Sequence, residues 1–227
     1  MPTLIVKPTE ACNARCAYCY AARPGSPAAK TMSRETLELL FVRINEFLLE
    51  RPKGVLGLVW HGGEPLIRGP EFFEAALDLQ TRHCGTTASR IRHAIQSNLT
   101  LLTIDHVRIL KRLGITTVGS RCDPLSSLRG LGDASDAAEY GRRHRDGVEL
   151  LKREGLGCGL LYVVTRLSLG KPLDIFSRLL GFGVSGPIDF NPVLITDDRM
   201  GHLRISAEEY GDFLGALFPV WWRQRSS

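Results

Sequence analysis

Strand-like and helix-like stretches alternate along almost the whole chain, and this rhythm limits the fold more than any other feature of the sequence. Residues 4–7 form a short β-prone run. Residues 31–50 carry Leu37, Leu40, Phe41, Ile44 and Leu48 at helical spacing, with Ser33 placed to cap them. Residues 54–60 read as a buried strand running into Gly62-Gly63, 71–82 as a helix, 91–97 as a strand, and 104–113 as a helix closed by Gly114. A strand over 115–120, a helix over 137–154, a strand over 159–165 and a helix over 172–180 follow. A short strand at 187–190 and a helix over 207–222 complete the series. Six βα units in succession predict parallel strands joined by right-handed crossovers. Six is too few for a closed eight-stranded barrel. The expected fold is therefore α/β, an open partial (β/α)6 barrel with a C-terminal helix. Its 227 residues suffice for one core, and no repeat or linker divides residues 1–227. The longest irregular stretch, 124–136, is expected to be functional or mobile.

In such an architecture the chemistry sits in the loops that follow the strands. The loop after the first strand reads CNARCAYCY, residues 12–20, with an aromatic, Tyr20, beside the last cysteine. Cys12, Cys16 and Cys19 are separated by three and then two residues, so one loop can turn three thiolates onto one small inorganic cluster. A structural zinc would want four ligands, usually from paired cysteines. The other thiols, Cys84, Cys122 and Cys158, are scattered singly and are read as dispensable. A [4Fe–4S] cluster held by three cysteines leaves one iron open, which suits catalysis better than passive electron transfer. The chain has no secretory signal and no apolar run of about 18 residues, so a cytoplasmic location without membrane contact is expected. Thiols stay reduced there. The net charge of +5 is mildly basic and demands no anionic partner; no nucleic-acid partner is expected.

The pattern Cys-x3-Cys-x-Tyr-Cys, with Tyr18 in the aromatic position, resembles the signature of the radical S-adenosylmethionine (SAM) enzymes. WHGGEPL, residues 60–66, looks like the GGEP motif of that family. IQSNLTLL resembles its third-strand pattern, and ISAEEYGDFLGALFPVWW resembles the helix after the barrel in the peptide-modifying branch, which includes sulfatase-maturating enzymes. The resemblance implies a [4Fe–4S] cluster on Cys12, Cys16 and Cys19. It also implies SAM bound at its open iron and a 5′-deoxyadenosyl radical that abstracts hydrogen from a peptide or protein substrate. An external electron donor of the flavodoxin or ferredoxin type is implied as well.

Within that frame Gly62 and Gly63 let backbone approach a ligand closely, and Glu64 supplies a carboxylate for the SAM ammonium group. By resemblance, Ser120 falls where the family often contacts the SAM ribose, Arg142 or its neighbour Arg143 near where an arginine contacts the SAM carboxylate, and Asn98 at the end of the third strand. His61 is read as a satisfied structural histidine, and 142–145 otherwise as a solvated helix face. Relatives often carry Ser-Leu-Asp-Gly-Pro where this chain has Ser120-Arg121-Cys122-Asp123-Pro124. They also usually continue into a cysteine-rich SPASM-like domain with auxiliary clusters. That domain is absent from a sequence that stops shortly after Trp221-Trp222, so a partner protein or self-association is expected across the open barrel face. Two other readings are a glycyl-radical-enzyme activase and a non-catalytic cluster-binding subunit. The intact cysteines and Glu64 argue against the second.

Overall fold

A computed structural model describes residues 1–19, 29–125, 127–132, 134–196 and 198–224. Within them the strands β1 (Thr3–Val6), β2 (Leu56–Trp60), β3 (Ile91–Gln96), β4 (Thr117–Arg121), β5 (Gly157–Val164) and β6 (Ile188–Pro192) form one parallel sheet in chain order. The helices α1 (Arg34–Leu49), α2 (Gly69–Cys84), α3 (Ile104–Arg112), α4 (Ala137–Arg153) and α5 (Pro172–Leu180) supply the crossovers, and α6 (Ala207–Gln224) follows β6. Because β1 pairs only with β2 and β6 only with β5, the sheet curls into an open half-barrel with two free edges.

Local chemistry sets the helix ends. Ser33 Oγ accepts from the Thr36 N–H at 3.2 Å, as its placement predicts, and Asp136 Oδ1 accepts from the Glu139 N–H at 2.9 Å. Gly114, with φ of 75°, turns the chain out of α3. The strand and helix boundaries differ from those read in the sequence by up to about two residues at most ends. β4 starts at Thr117, two residues later than expected, and includes Arg121. Helix α6 runs on through Pro219. Short 3-10 turns at Pro65–Arg68, Gly85–Arg90, Arg166–Ser168 and Asp198–Leu203 were not legible from periodicity. No helix among the described residues is long and apolar enough to cross a membrane.

Strand parity decides which side chains reach the barrel interior. Leu58, Trp60, Ile95, Val118, Leu160, Tyr162 and Val164 belong to the main core with Phe41, Phe73, Leu110, Leu151 and Leu179 of the helices. Trp60 meets Phe72 and Phe73 edge-on at 5.9 and 5.8 Å and donates its Nε1–H to His93 Nδ1 at 3.1 Å. His93 is 2.6 Å through Nε2 from Gln80 Oε1 on α2. The opposite parity turns His61, Gln96, Arg121 and Val163 inward at the C-terminal ends of β2 to β5.

Burial holds His93 neutral by pushing its pKa down to about 4, and His144 falls to about 3, again mainly through burial. Both titrate near 6.5 when unfolded. As pH falls from about 6.5 toward 4 the unfolded chain takes up protons that the folded chain refuses, so stability from both groups is present above that window and is lost within it. Chemical denaturation from pH 7 to 4.5 should therefore show falling stability, with a shallower fall in His93→Gln. Parallel pH dependence in the two proteins would remove His93 from this role.

Candidate cluster and cofactor site

The cysteine loop leaves β1 and is tied at its neck. Thr9 bridges Thr31 in antiparallel fashion, Glu10 N–H donates to the Lys30 carbonyl at 2.8 Å, and Met32 N–H donates to the Pro8 carbonyl at 2.9 Å. Arg68 Nη1 clamps the same neck, donating to the Pro8 and Met32 carbonyls at 3.0 Å each. Residues 20–28, including Tyr20, lie outside the described residues.

The loop's outer limb is paired as well. Arg15 N–H donates to the Gly130 carbonyl and Ala17 N–H to the Leu128 carbonyl, both at 2.8 Å, and Gly132 N–H donates to the Asn13 carbonyl at 3.1 Å. The described part of 124–136, expected to be functional or mobile, is thus a pairing partner of the cysteine loop.

Gly62 and Gly63 do close work, though against the protein's own backbone. A Cβ on Gly63 would stand 2.0 Å from the Ala11 carbonyl oxygen, and one on Gly62 would stand 2.6 Å from the Thr9 oxygen, where φ is also +134°. That approach lets Gly63 N–H donate to Thr9 at 3.0 Å and Glu64 N–H to Ala11 at 2.8 Å. The expected close approach was to a ligand; the approach seen in the structure is to the backbone of the cysteine loop. Glu64 is 1% exposed. Its Oε1 accepts from Leu66 N–H at 3.0 Å and Ser97 Oγ–H at 2.8 Å, and its Oε2 accepts from Asn98 N–H at 2.6 Å. Burial raises its pKa, and these three bonds oppose the rise.

Cys12, Cys16, Cys19, Tyr18, Gly62, Gly63, Glu64 and Asn98 all line one cleft. Among the described residues no three His, Cys, Asp or Glu side chains converge on a single-ion site. Cys12, Cys16 and Cys19 nevertheless stand on the same cleft wall, three thiols from one loop. Cys12 Sγ accepts from Ala14 N–H at 3.4 Å and lies 4.0 Å from the Asn98 amide, the kind of donor contact that tunes a metal-bound sulfur. Asn98 Nδ2–H also donates to Asn13 Oδ1 at 2.9 Å, so the β3 end braces the loop. Burial pushes the Cys12 thiol up to about 11 and raises Cys16, whereas the guanidinium of Arg129 opposes the rise at Cys16. With three thiols of one loop on its wall, the donor set fits an iron–sulfur cluster.

The cleft contains groups that sequence reasoning passed over. Arg129, 6% exposed, lies 3.9 Å from Asp123, donates toward Tyr18 Oη at 3.4 Å and sits over the Tyr140 ring at 4.8 Å. Tyr18 donates its hydroxyl to Asp123. Gln96, Arg121 and His61 complete the wall. His61 Nδ1 accepts from Gly62 N–H at 2.6 Å, which puts the ring proton on Nε2, and burial followed by Arg121 and Lys7 lowers its pKa. His61 is thus a cleft residue with one nitrogen satisfied.

Two expected residues are not brought into the cleft. Ser120 is fully buried on the helix side of β4, 3.1 Å through Oγ from His144 Nε2 on α4. Strand parity turns its neighbour Arg121 inward in its place. Arg142 sits on the solvent face of α4, bonded to Glu139 at 2.8 Å and Asp146 at 3.0 Å. The arginines that line the cleft are Arg121 and Arg129. The run 142–145 is also not wholly solvated, because His144 is buried.

Two substitutions test the joint. Gly63→Ala drives a methyl into the Ala11 carbonyl, an overpacking cost of about 1–3 kcal/mol, and reconstituted protein should hold less iron than wild type. Glu64→Ala leaves the Leu66, Ser97 and Asn98 donors buried without an acceptor, at about 1–3 kcal/mol for each one left unsatisfied. Its melting temperature should fall together with its SAM affinity. A variant with wild-type stability would show that the three bonds do not hold the turn.

A model of the radical SAM superfamily matches residues 6–176. The chain is 29% identical over 232 residues to the serine-type anaerobic sulfatase-maturating enzyme of Klebsiella aerogenes, an overlap covering 96% of this chain and 53% of that enzyme. Native anSMEcpe with bound AdoMet has a TM-score of 0.82 at 22% identity, over 98% of this chain and 61% of that one. The same protein with AdoMet and Cp18Cys peptide gives 0.81 at 24% identity, over 98% and 60%. This chain therefore spans about half to three-fifths of the length of these relatives, and at such identities the structural likeness is one of fold. The family model covers most of the chain, including the cysteine loop, the Glu64 turn and the cleft wall through β5, and on that ground the chain belongs to the radical SAM superfamily.

Proposed function

We propose that the chain holds a [4Fe–4S] cluster on Cys12, Cys16 and Cys19, binds SAM beside it, and acts on a carbon of a peptide or protein substrate. The observation that carries this reading is that three thiols of one loop line the same cleft as the Glu64 turn. When bound, the cluster and SAM supply one-electron cleavage of the sulfonium bond, giving methionine and a 5′-deoxyadenosyl radical that takes a hydrogen atom from an unactivated carbon. The electron comes from an external flavodoxin- or ferredoxin-type donor in a reducing, cytoplasmic setting.

The chain's own residues hold, orient and exclude. Ala14 N–H and the Asn98 amide steady Cys12. Glu64 has about four lone-pair positions and three donors, so one acceptor position is left for the SAM ammonium group. The buried Tyr18–Asp123–Arg129 group closes the cleft floor behind Cys16. A peptide or protein substrate is supported by the sulfatase-maturating relatives and by the structural neighbour that contains both AdoMet and a peptide. Residues 1–227 act as one core unit. The open face is a place for a partner protein or a second copy: Phe218, Trp221 and Trp222 of α6 form an exposed aromatic cluster, with ring centroids 5.8 to 6.2 Å apart.

Anaerobic reconstitution should load about four irons per chain, as one such cluster requires, and SAM with a strong reductant should yield 5′-deoxyadenosine. Alanine at Cys12, Cys16 or Cys19 should abolish both signals, while Cys84→Ala, Cys122→Ala and Cys158→Ala retain them. A folded Cys16→Ala protein that still makes 5′-deoxyadenosine would refute the assignment. Iodide should quench the emission of Trp221 and Trp222, which are 43% and 56% exposed, and spare the buried Trp60. Concentration-dependent shielding would mark self-association at that face, and quenching independent of concentration would argue against it.

A further inference from the structure

Arg121 is not used by the function proposed above. It occupies the inward position at the C-terminal end of β4 and lines the cleft beside Gln96 and His61. Its Nε–H is buried and meets no acceptor among the described residues. A guanidinium held in a partly dry site without a counter-ion is costly, and the cost is recovered when an anion enters.

The acids near the cleft are already engaged. Glu64 uses both oxygens on three donors. Asp123 takes the Tyr18 hydroxyl, lies 3.9 Å from Arg129, and responds to Arg129 more strongly than to Arg121. Arg129 is ion-paired with Asp123 but its buried Nε–H has no hydrogen-bond acceptor among the described residues, and it stands against the cysteine loop, close enough to Cys16 and Tyr18 to influence both. The cleft thus offers two guanidinium groups whose Nε–H lacks a hydrogen-bond acceptor, whereas SAM carries a single carboxylate. If the deeper Arg129 serves the cofactor, Arg121 is left facing whatever else enters. His61 presents an Nε2–H and Gln96 an amide on the same wall, so the side chains beside Arg121 at the ends of β2 and β3 are uncharged and can donate.

We propose that Arg121 is a specificity-determining residue that receives a carboxylate of the substrate, so that the cleft favours a peptide with an Asp or Glu side chain near the reacting carbon. This rests on the function proposed above. The planar fork of arginine suits a carboxylate bidentately, and a charged hydrogen bond in such a site is worth about one to two decades in affinity.

The test uses reconstituted, SAM-loaded holoprotein and two blocked dipeptides, N-acetyl-Asp-Glu-amide and its isostere N-acetyl-Asn-Gln-amide, titrated anaerobically by calorimetry. Wild type should bind the acidic dipeptide about ten- to a hundredfold tighter than the isostere. In Arg121→Gln that ratio should fall to near one, and Arg121→Lys, which keeps charge without the fork, should lie between. Equal binding of the two dipeptides by wild type overturns the proposal, as does the absence of saturable binding of the acidic one. Both of these outcomes are read on wild type alone and stand even if a variant fails to fold. A loss of SAM affinity in Arg121→Gln with the dipeptide ratio intact also overturns it, because the carboxylate received would then be that of SAM. Formation of 5′-deoxyadenosine in the same wild-type sample reports separately on the proposed function.

Discussion

The Glu64 carboxylate is the joint on which the site depends. It is buried at the point where the turn after β2, the end of β3 and the cysteine loop meet, and its three hydrogen bonds fix the first two while its own N–H reaches Ala11 in the third. Replacing the bulk of a side chain by hydrogen at Gly62 and Gly63 is what allows the backbones to come this close. A buried carboxylate without donors would neutralise itself. Here three donors oppose that tendency, and the carboxylate that organises the turn also lines the cleft beside the cysteine loop. The cysteine loop has little apolar substance of its own, and it takes its shape from this joint, from the Arg68 clamp at its neck and from the pairing with 128–132.

Much of this was legible in the sequence because the relevant signals are local. Helical spacing in 31–50, a capping serine at Ser33 and a terminating glycine at Gly114 each act within a turn or two of chain, and the cysteine spacing is confined to one loop. The direction of a side chain on a doubly buried strand is another matter. β4 carries helices on one face and the cleft on the other, so its two faces differ little in polarity, and Ser120 and Arg121 cannot be told apart by alternation. Only the pairing with β5 and the packing on α4 send Ser120 to His144 and Arg121 to the cleft.

Arg142 was expected at the site and Arg129 was passed over for a related reason. On α4, Arg142 is spaced to meet Glu139 and Asp146, three residues before it and four after, and those short-range pairs hold it at the surface. Arg129 reaches the site from an irregular segment whose path is set by hydrogen bonds to residues more than a hundred positions earlier. No local pattern announces that. The glycines show the same limit in milder form: the need for close approach was readable, but not that the partner would be the carbonyls of Thr9 and Ala11.

The charges of the cleft are best understood from the thiols outward. Burial is the largest cause that raises the Cys12 and Cys16 thiols, and each thiol that ionises makes the next harder to ionise, because like charges face one another. Metal binding must displace those protons. Arg129 and, more weakly, Arg121 pull the Cys16 equilibrium the other way, so the guanidiniums that look uncompensated in the cleft lower the cost of forming the thiolates that a cluster requires. Asp123 tempers Arg129 without cancelling it, since its own carboxylate is desolvated and shares its charge with the Tyr18 hydroxyl. Arg121 has no ion pair of that kind among the described residues and acts on Asp123 more weakly than Arg129 does, so its charge on the cleft wall is the less tempered of the two.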